Sequence, residues 1–382
     1  MRSELDAVLR SSLGRRAFLK YLAIAGGTGV LAACQKNITA ATQGGGASAT
    51  ETRPPLESEP GVLHAYEWAG FEVKPLWRSY AAKGYPDPKF SFFTNTEQAL
   101  AKTAGGYTWD IVHPEVGYVQ DYFNLGAVQP WDTSLISNFP DLNPALEKAG
   151  QLDGKQYEIV TDWGYSGVII RTDHADPSIN SYSYLFDDSL AGHISWFDTP
   201  WILLQAGLVL GVESDIFDMT PQDLETCKNY CIQKKKNLYN IWVDFTQMWD
   251  DVRQGNVWAA YAWPDAWVNT RNDAPVAYIR PKEGVLAWGE GLMLNANTEN
   301  YYHAHEYANA WTMPQTGLWV INNYGYGHSN LKVDLSKVDP AVVRAFGLDD
   351  PVGNLSPPAA LMDRYQPQRD AYNRAWDEVK AA

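Results

Sequence analysis

Between residues 62 and 114 extended and helical patterns alternate, and few folds are open to a chain that does this. Val62-Leu-His-Ala-Tyr-Glu-Trp-Ala69 has the pattern of a first strand ending in an aromatic. Residues 71–84 place Phe71, Leu76, Trp77 and Tyr80 on roughly one side of a helix that ends at Gly84. Residues 89–93 form a second strand, residues 96–103 a helix, and Trp109-Asp-Ile-Val-His113 a third strand broken by Pro114. This alternation predicts an α/β lobe with a largely parallel sheet. Ligands gather beyond the carboxyl ends of such strands, and here those ends carry Trp68, Glu115 and Tyr118.

The middle of the chain behaves as a second lobe. Residues 157–171 contain two extended runs around Trp163-Gly164, and residues 195–210 form a Trp-rich helical stretch. Residues 255–265 form a buried strand ending in Trp263, Pro264 and Asp265. Residues 276–294 then return the chain to the first lobe as strand, turn and strand. Within them Trp288 and Glu290 are two apart and face the same side of an extended segment. Gly289 and Gly291 leave the backbone around that carboxylate open to close approach. Two readings fit this stretch: a half-buried strand with a packing indole and a solvated acid, or an indole and a counter-charge offered together to an organic cation. The organisation expected is an α/β, two-lobed fold of two sheets with a hinged cleft between them. The first lobe takes residues 61–165, the second 166–276, and residues 277–382 form the return and the C-terminal helices.

The N-terminus is a targeting segment. Gly14-Arg15-Arg16-Ala17-Phe18-Leu19-Lys20 precedes an apolar run too short to span a bilayer, which ends in Leu31-Ala32-Ala33-Cys34. The pattern is that of a twin-arginine export signal over residues 1–33 with a lipobox, so Cys34 is the expected lipidation site, and two acyl chains there anchor stably to a membrane. Residues 34–60, rich in Gly, Ala, Ser and Thr, read as a flexible tether. Residues 1–33 carry five Lys or Arg and two Asp or Glu, so their removal takes the formal charge from -15 to -18. So acidic a body does not bind nucleic acid by neutralising phosphates. Cys227 and Cys231, four apart on a helix, read as packing thiols, with a disulfide as the lesser alternative.

Several motifs, in order along the chain, resemble those of the bacterial spermidine/putrescine-binding proteins, extracellular solute-binding proteins that feed ABC importers. They are Tyr66-Glu67-Trp68, Trp109 to Pro114, Gly126-Ala127-Val128-Gln129-Pro130, Gly255 to Trp263, Arg280-Pro-Lys-Glu-Gly284 and Gly325-Tyr326-Gly-His-Ser-Asn330. The resemblance implies a periplasmic-binding-protein fold of type II, a permease partner in the inner membrane, a monomer, no catalysis and no cofactor. It places Trp68, Trp263 and Tyr326 at the family's aromatic positions. Trp288-Gly289-Glu290 stands at the family's amine-holding Trp-x-Asp. Glu115 replaces a hydroxyl, with Tyr118 beside the position of an aromatic. Asp198 matches the first of an acidic pair in the second lobe, and Trp201 stands at the second.

A primary ammonium leaves water only if hydrogen bonds and charge are returned to it. Carboxylates do this, and each indole face adds about 0.5 to 2 kcal/mol. The ligand residues expected are therefore Trp68, Glu115, Tyr118, Asp198, Trp263, Asp265, Trp288, Glu290 and Tyr326, around a small cationic solute such as a polyamine. Asp265 either lines the cleft or caps the next helix. His303-Ala-His305 lacks a third ligand and reads as solvated, and Tyr324 with Tyr326 suits a turn as well as an iron-binding pair. A neutral, anionic or iron solute is the alternative within binding proteins. A glycosidase, built from acids beside indoles, is the alternative among enzymes.

Overall fold

The computed structural model describes residues 56–355, 360–362, 364 and 366–382. The export signal, Cys34 and most of the tether lie outside the described residues. No described helix is long and apolar enough to cross a membrane.

The strands, in chain order, are β1 (His64–Trp68), β2 (Lys89–Phe93), β3 (Ile111–Val112), β4 (Val128–Gln129), β5 (Gln151–Leu152), β6 (Lys155–Gln156) and β7 (Glu158–Arg171). They continue as β8 (Ile194–Phe197), β9 (Leu238–Trp242), β10 (Ala259–Ala262), β11 (Val276–Ile279), β12 (Val285–Asn295), β13 (Gly327–His328) and β14 (Ala360–Met362). In the first lobe β1 pairs in parallel with β2 and β3, as the alternation predicts, and β12 joins antiparallel to β3. In the second lobe β10, β8 and β9 are mutually parallel.

The two expected sheets are in fact joined, because β7 belongs to both. Its first half pairs with β12 from Glu158 to Ser166, and its second half pairs with β10 from Gly167 to Ile170. The two extended runs expected around Trp163-Gly164 are this one strand, buried at every residue but the last. Such a strand is covered on both faces, so its polar residues Glu158, Thr161, Asp162 and Ser166 are buried along with the apolar ones. Against β12 its register slips between Glu290 and Gly291, a bulge that leaves Thr161 unopposed.

Local departures from expectation have local causes. The first helix is shorter than residues 71–84: a 3-10 turn, Lys74–Trp77, carries Pro75 and only Arg78–Ala82 is α-helical. Residues 195–210 divide into strand β8 and helix Trp201–Leu210, with Pro200 at the helix N-cap. Glu59 falls within the expected tether. Glu59 accepts from the backbone N–H of Tyr302 and His303 and from His303 Nδ1, at 2.7, 3.0 and 2.8 Å, and so holds residue 59 on the N-terminus of helix Tyr301–Trp311. The expectation of solvated histidines fails with it. His303 and His305 are buried, the latter between the carbonyl of Tyr301 and the N–H of Asp132.

Helix Arg369–Ala381, the last of the C-terminal helices, packs on the second lobe, against helix Pro221–Lys234. Tyr372 locks it there, donating to the carbonyl of Ile216 and accepting from the N–H of Met219. Cys227 and Cys231 are free thiols, both fully buried under this packing, and burial pushes the Cys227 thiol up to about 11.

Candidate functional site

Between the lobes lies a cavity of about 420 Å³. From the first lobe its wall receives Trp68 at the end of β1, Phe93 and Thr94 at the end of β2, Trp288 and Glu290 from β12, and Tyr324 and Tyr326 around the turn at Gly325. From the second lobe come Phe197 at the end of β8, residues 243–246 after β9, and Trp263 and Asp265 after β10. Strand ends face one another across the gap, as α/β sheets arrange ligand sites.

The rings brace each other. Trp68 packs on Phe93 with centroids 4.6 Å apart, Trp263 on Phe197 at 4.9 Å, and Tyr324 on Tyr326 at 5.6 Å. Tyr324 donates to the carbonyl of Gly70 at 2.7 Å. Glycine is required at residue 164, where a Cβ would stand 2.5 Å from Trp288 Cζ2; the indole occupies the space that any side chain there would need. The glycines beside Glu290 serve packing rather than ligand approach. A Cβ on Gly291 would meet the carbonyl of Ile159 at 2.5 Å, and one on Gly289 would face Val160.

Three carboxylates reach the wall, each in a different electrostatic state. Burial, then Asp162, raises Glu290 well above the ordinary carboxylate range. Burial likewise raises Asp265 to about 7, against the N–H of Ala266 and the hydroxyl of Tyr326. Asp244 is shifted the other way: it caps helix Phe245–Gln254, accepting from Thr246 Oγ1 and from the N–H groups of Thr246 and Gln247, and these bonds lower it.

The sequence-predicted residues divide. Trp68, Trp263, Asp265, Trp288, Glu290 and Tyr326 line the cavity. Glu115 stops short of it, accepting from Thr96 Oγ1 at 3.0 Å, although its backbone bridges to Glu290. Tyr118 is not on the wall: it is fully buried, donates to Glu97 and carries the Arg369 guanidinium 3.5 Å above its ring. Asp198 is also elsewhere, held by Trp376 Nε1 at 2.7 Å and Lys380 Nζ at 2.9 Å; the last helix, docked on this lobe, takes it. Phe93, Thr94, Phe197 and Asp244 are among the wall residues that sequence reading missed. Asp244 carries the usual signal of a helix N-cap and nothing more, so its second role is visible only in three dimensions.

Behind Glu290 the floor holds a second layer. His113, just past β3, is fully buried, and its Nδ1 donates to Glu67 at 2.9 Å while its Nε2 lies 2.8 Å from Thr161 Oγ1 and 3.5 Å from Asp162. Burial pulls this imidazole down, but Glu67 and Asp162 more than reverse it and hold it well above its ordinary range. Tyr307 donates to the other oxygen of Glu67 at 3.3 Å.

Residues 93–343 match the family model for bacterial extracellular solute-binding proteins, which is well over half of the chain. The protein belongs to that family. Among curated relatives of this solute-binding protein, the spermidine/putrescine-binding periplasmic protein of Escherichia coli is 25% identical over 280 residues, covering 71% of this chain and 78% of the relative. Two solved structures share the fold. A putative spermidine/putrescine ABC transporter protein from Listeria monocytogenes superposes with a TM-score of 0.73 at 18% identity, over 84% of this chain and 99% of the other. MotA from Agrobacterium tumefaciens, in complex with glucopine, gives 0.67 at 15% identity, over 84% and 99%. The cavity of this solute-binding protein lies between two lobes that share β7.

Proposed function

We propose that this solute-binding protein captures a small organic cation of the polyamine class and presents it to an ABC permease. The observation that carries the reading is the joint presence, on one interlobe wall, of the indoles of Trp68, Trp263 and Trp288 with the carboxylates Glu290, Asp265 and Asp244. Aromatic faces accept the methylene chain and attract the ammonium, while carboxylates return the hydrogen bonds that desolvation removes. Glu290 and Asp265 on one side and Asp244 on the other offer anchors for two ends of one molecule. The names of the relatives, spermidine- and putrescine-binding among them, point the same way.

The same reading includes export by the twin-arginine route, a lipid anchor on Cys34, and action as a monomer that binds and releases its solute unchanged. Without the cation, closing over the acids strips their water with nothing returned and the open form is favoured; with it, closure becomes favourable.

Calorimetric titration with putrescine, spermidine, other cationic amines and neutral sugars tests the proposal. Saturable binding of an amine is expected, and Glu290→Gln should weaken it more than about ten-fold, since a charge-assisted bond is worth about 1.5 to 3 kcal/mol. Tight binding of a sugar with no response to any amine overturns the ligand class. Release of reducing sugar from an oligosaccharide overturns the transport role in favour of a glycosidase.

A further inference from the structure

Glu290 faces the cavity at one end and a closed polar cluster at the other. In that cluster His113, Asp162 and Glu290 each bring one ligand atom to within 4.8 Å of the others. They come from three separate stretches: the end of β3, the bulge of β7 and the middle of β12. The bulge is what delivers Asp162, since the unopposed Thr161 lets the next residue turn to the same side, where Thr161 Oγ1 donates to Asp162 Oδ1 at 2.8 Å. Asp162 itself is fully buried, yet its Oδ2 has no hydrogen-bond partner among the described residues. A carboxylate oxygen buried without a donor is costly unless a cation sits against it, and His113 lies 3.5 Å from the other oxygen, Oδ1.

The supporting layer has the form that metal sites use. The Nδ1–H of His113 is taken by Glu67, which fixes the ring so that Nε2, 2.8 Å from Thr161 Oγ1, lies 3.5 Å from Asp162 and on the side of Glu290; Tyr307 in turn holds Glu67. Neither His113 nor Asp162 lines the cavity, so an ammonium on a carbon chain does not reach in among them. One imidazole nitrogen with two carboxylates is the donor chemistry of borderline divalent ions, and a small inward movement brings such atoms to the roughly 2.0 to 2.2 Å that zinc requires.

We propose that His113, Asp162 and Glu290 form a binding site for a divalent transition-metal ion of the zinc or cobalt class at the inner end of the cavity. The ion takes the place of the Nε2 proton, which leaves to solvent, and its charge offsets the carboxylates around it. It also engages Glu290, so ion and organic cation compete for that side chain, each weakening the other by the same factor.

Zn²⁺ titration of untagged, chelator-treated protein tests this without any amine, so its outcome is separate from that of the polyamine reading. One tight equivalent is expected, with Co²⁺ giving visible absorption in the same place. His113→Gln and Glu290→Gln should each weaken Zn²⁺ by at least about 10- to 100-fold, the loss seen when even a supporting residue is removed. Glu290→Gln leaves the Glu67–His113 pair intact and keeps the test open if His113→Gln does not fold. His174→Gln, on a half-exposed histidine stacked on Trp258, should change nothing. Absence of tight Zn²⁺ binding, or binding that neither cluster variant weakens, overturns the site and leaves His113 as an internal counter-ion only.

Discussion

Trp288 and Tyr326 meet edge to face at one side of the interlobe cavity, with centroids 4.9 Å apart and planes at 84°. The backbone beneath the indole is bare because residue 164 of β7 is glycine, so the two rings stand where they do by virtue of a missing side chain on a third strand.

Gly164→Ala should therefore act on binding as well as on stability. The new methyl group would lie 2.5 Å from the indole and push it toward Tyr326. Overpacking of this kind costs about 1 to 3 kcal/mol. A lowered melting temperature together with weaker amine binding in calorimetry is the expected pair of results. A stable variant with unchanged affinity would show that the indole moves freely and does not shape the wall.

Asp265 makes the folded protein sensitive to pH. Its carboxyl rises from 3.8 to about 7, chiefly through burial. The folded state thus holds a proton that the unfolded chain has already released. The corresponding stability is fully present below pH 3.8 and is lost as pH rises through about 7. Its size is about 4 kcal/mol at most, from about 1.4 kcal/mol per pH unit. Urea unfolding at about pH 5 and about pH 8 should show less of this decline in Asp265→Asn than in the parent protein. A cation that needs the ionised acid should bind more tightly at the higher pH.

Asp244 and Asp198 separate a wall carboxylate from one that is merely nearby in sequence reasoning. Asparagine caps a helix about as well as aspartate, so Asp244→Asn should keep stability within about 0.5 kcal/mol. Its loss of charge should weaken an amine by about three- to ten-fold. Asp198→Asn should leave amine affinity alone, because Trp376 and Lys380 already occupy that carboxylate. Equal affinity in Asp244→Asn and the parent would remove Asp244 from the contact set.

Glu59→Ala tests whether the folded body begins before Gly61. The carboxylate accepts three bonds at the N-terminus of helix Tyr301–Trp311 and its side chain is 3% exposed. Its removal leaves buried donors without a partner, at about 1 to 3 kcal/mol. Thermal unfolding should register that loss, and an unchanged midpoint would return residue 59 to the tether.

What sequence alone determined was whatever depends on near neighbours: the alternation of β1, β2 and β3 with helices, the aromatic at each strand end, and the pairing of Trp288 with Glu290 on one side of β12. Periods of two and 3.6 residues are local, and so are the short motifs that carry the family resemblance. The tertiary structure alone decided which strand-end acids reach the cavity. Asp198 is drawn off by a helix 178 residues later, and Tyr118 by Arg369, 252 residues beyond Gly117 in the contact it also makes there. It alone also decided that Glu67, His113, Asp162 and Glu290 share one closed space, through pairings as distant as His113 with Glu67, 46 residues apart, and Thr161 with Glu290, 129 apart. A carboxylate in a strand looks the same in sequence whether it meets water, a lysine or a histidine. Register, bulge and helix docking choose among these, and they are set by the packing of the whole chain.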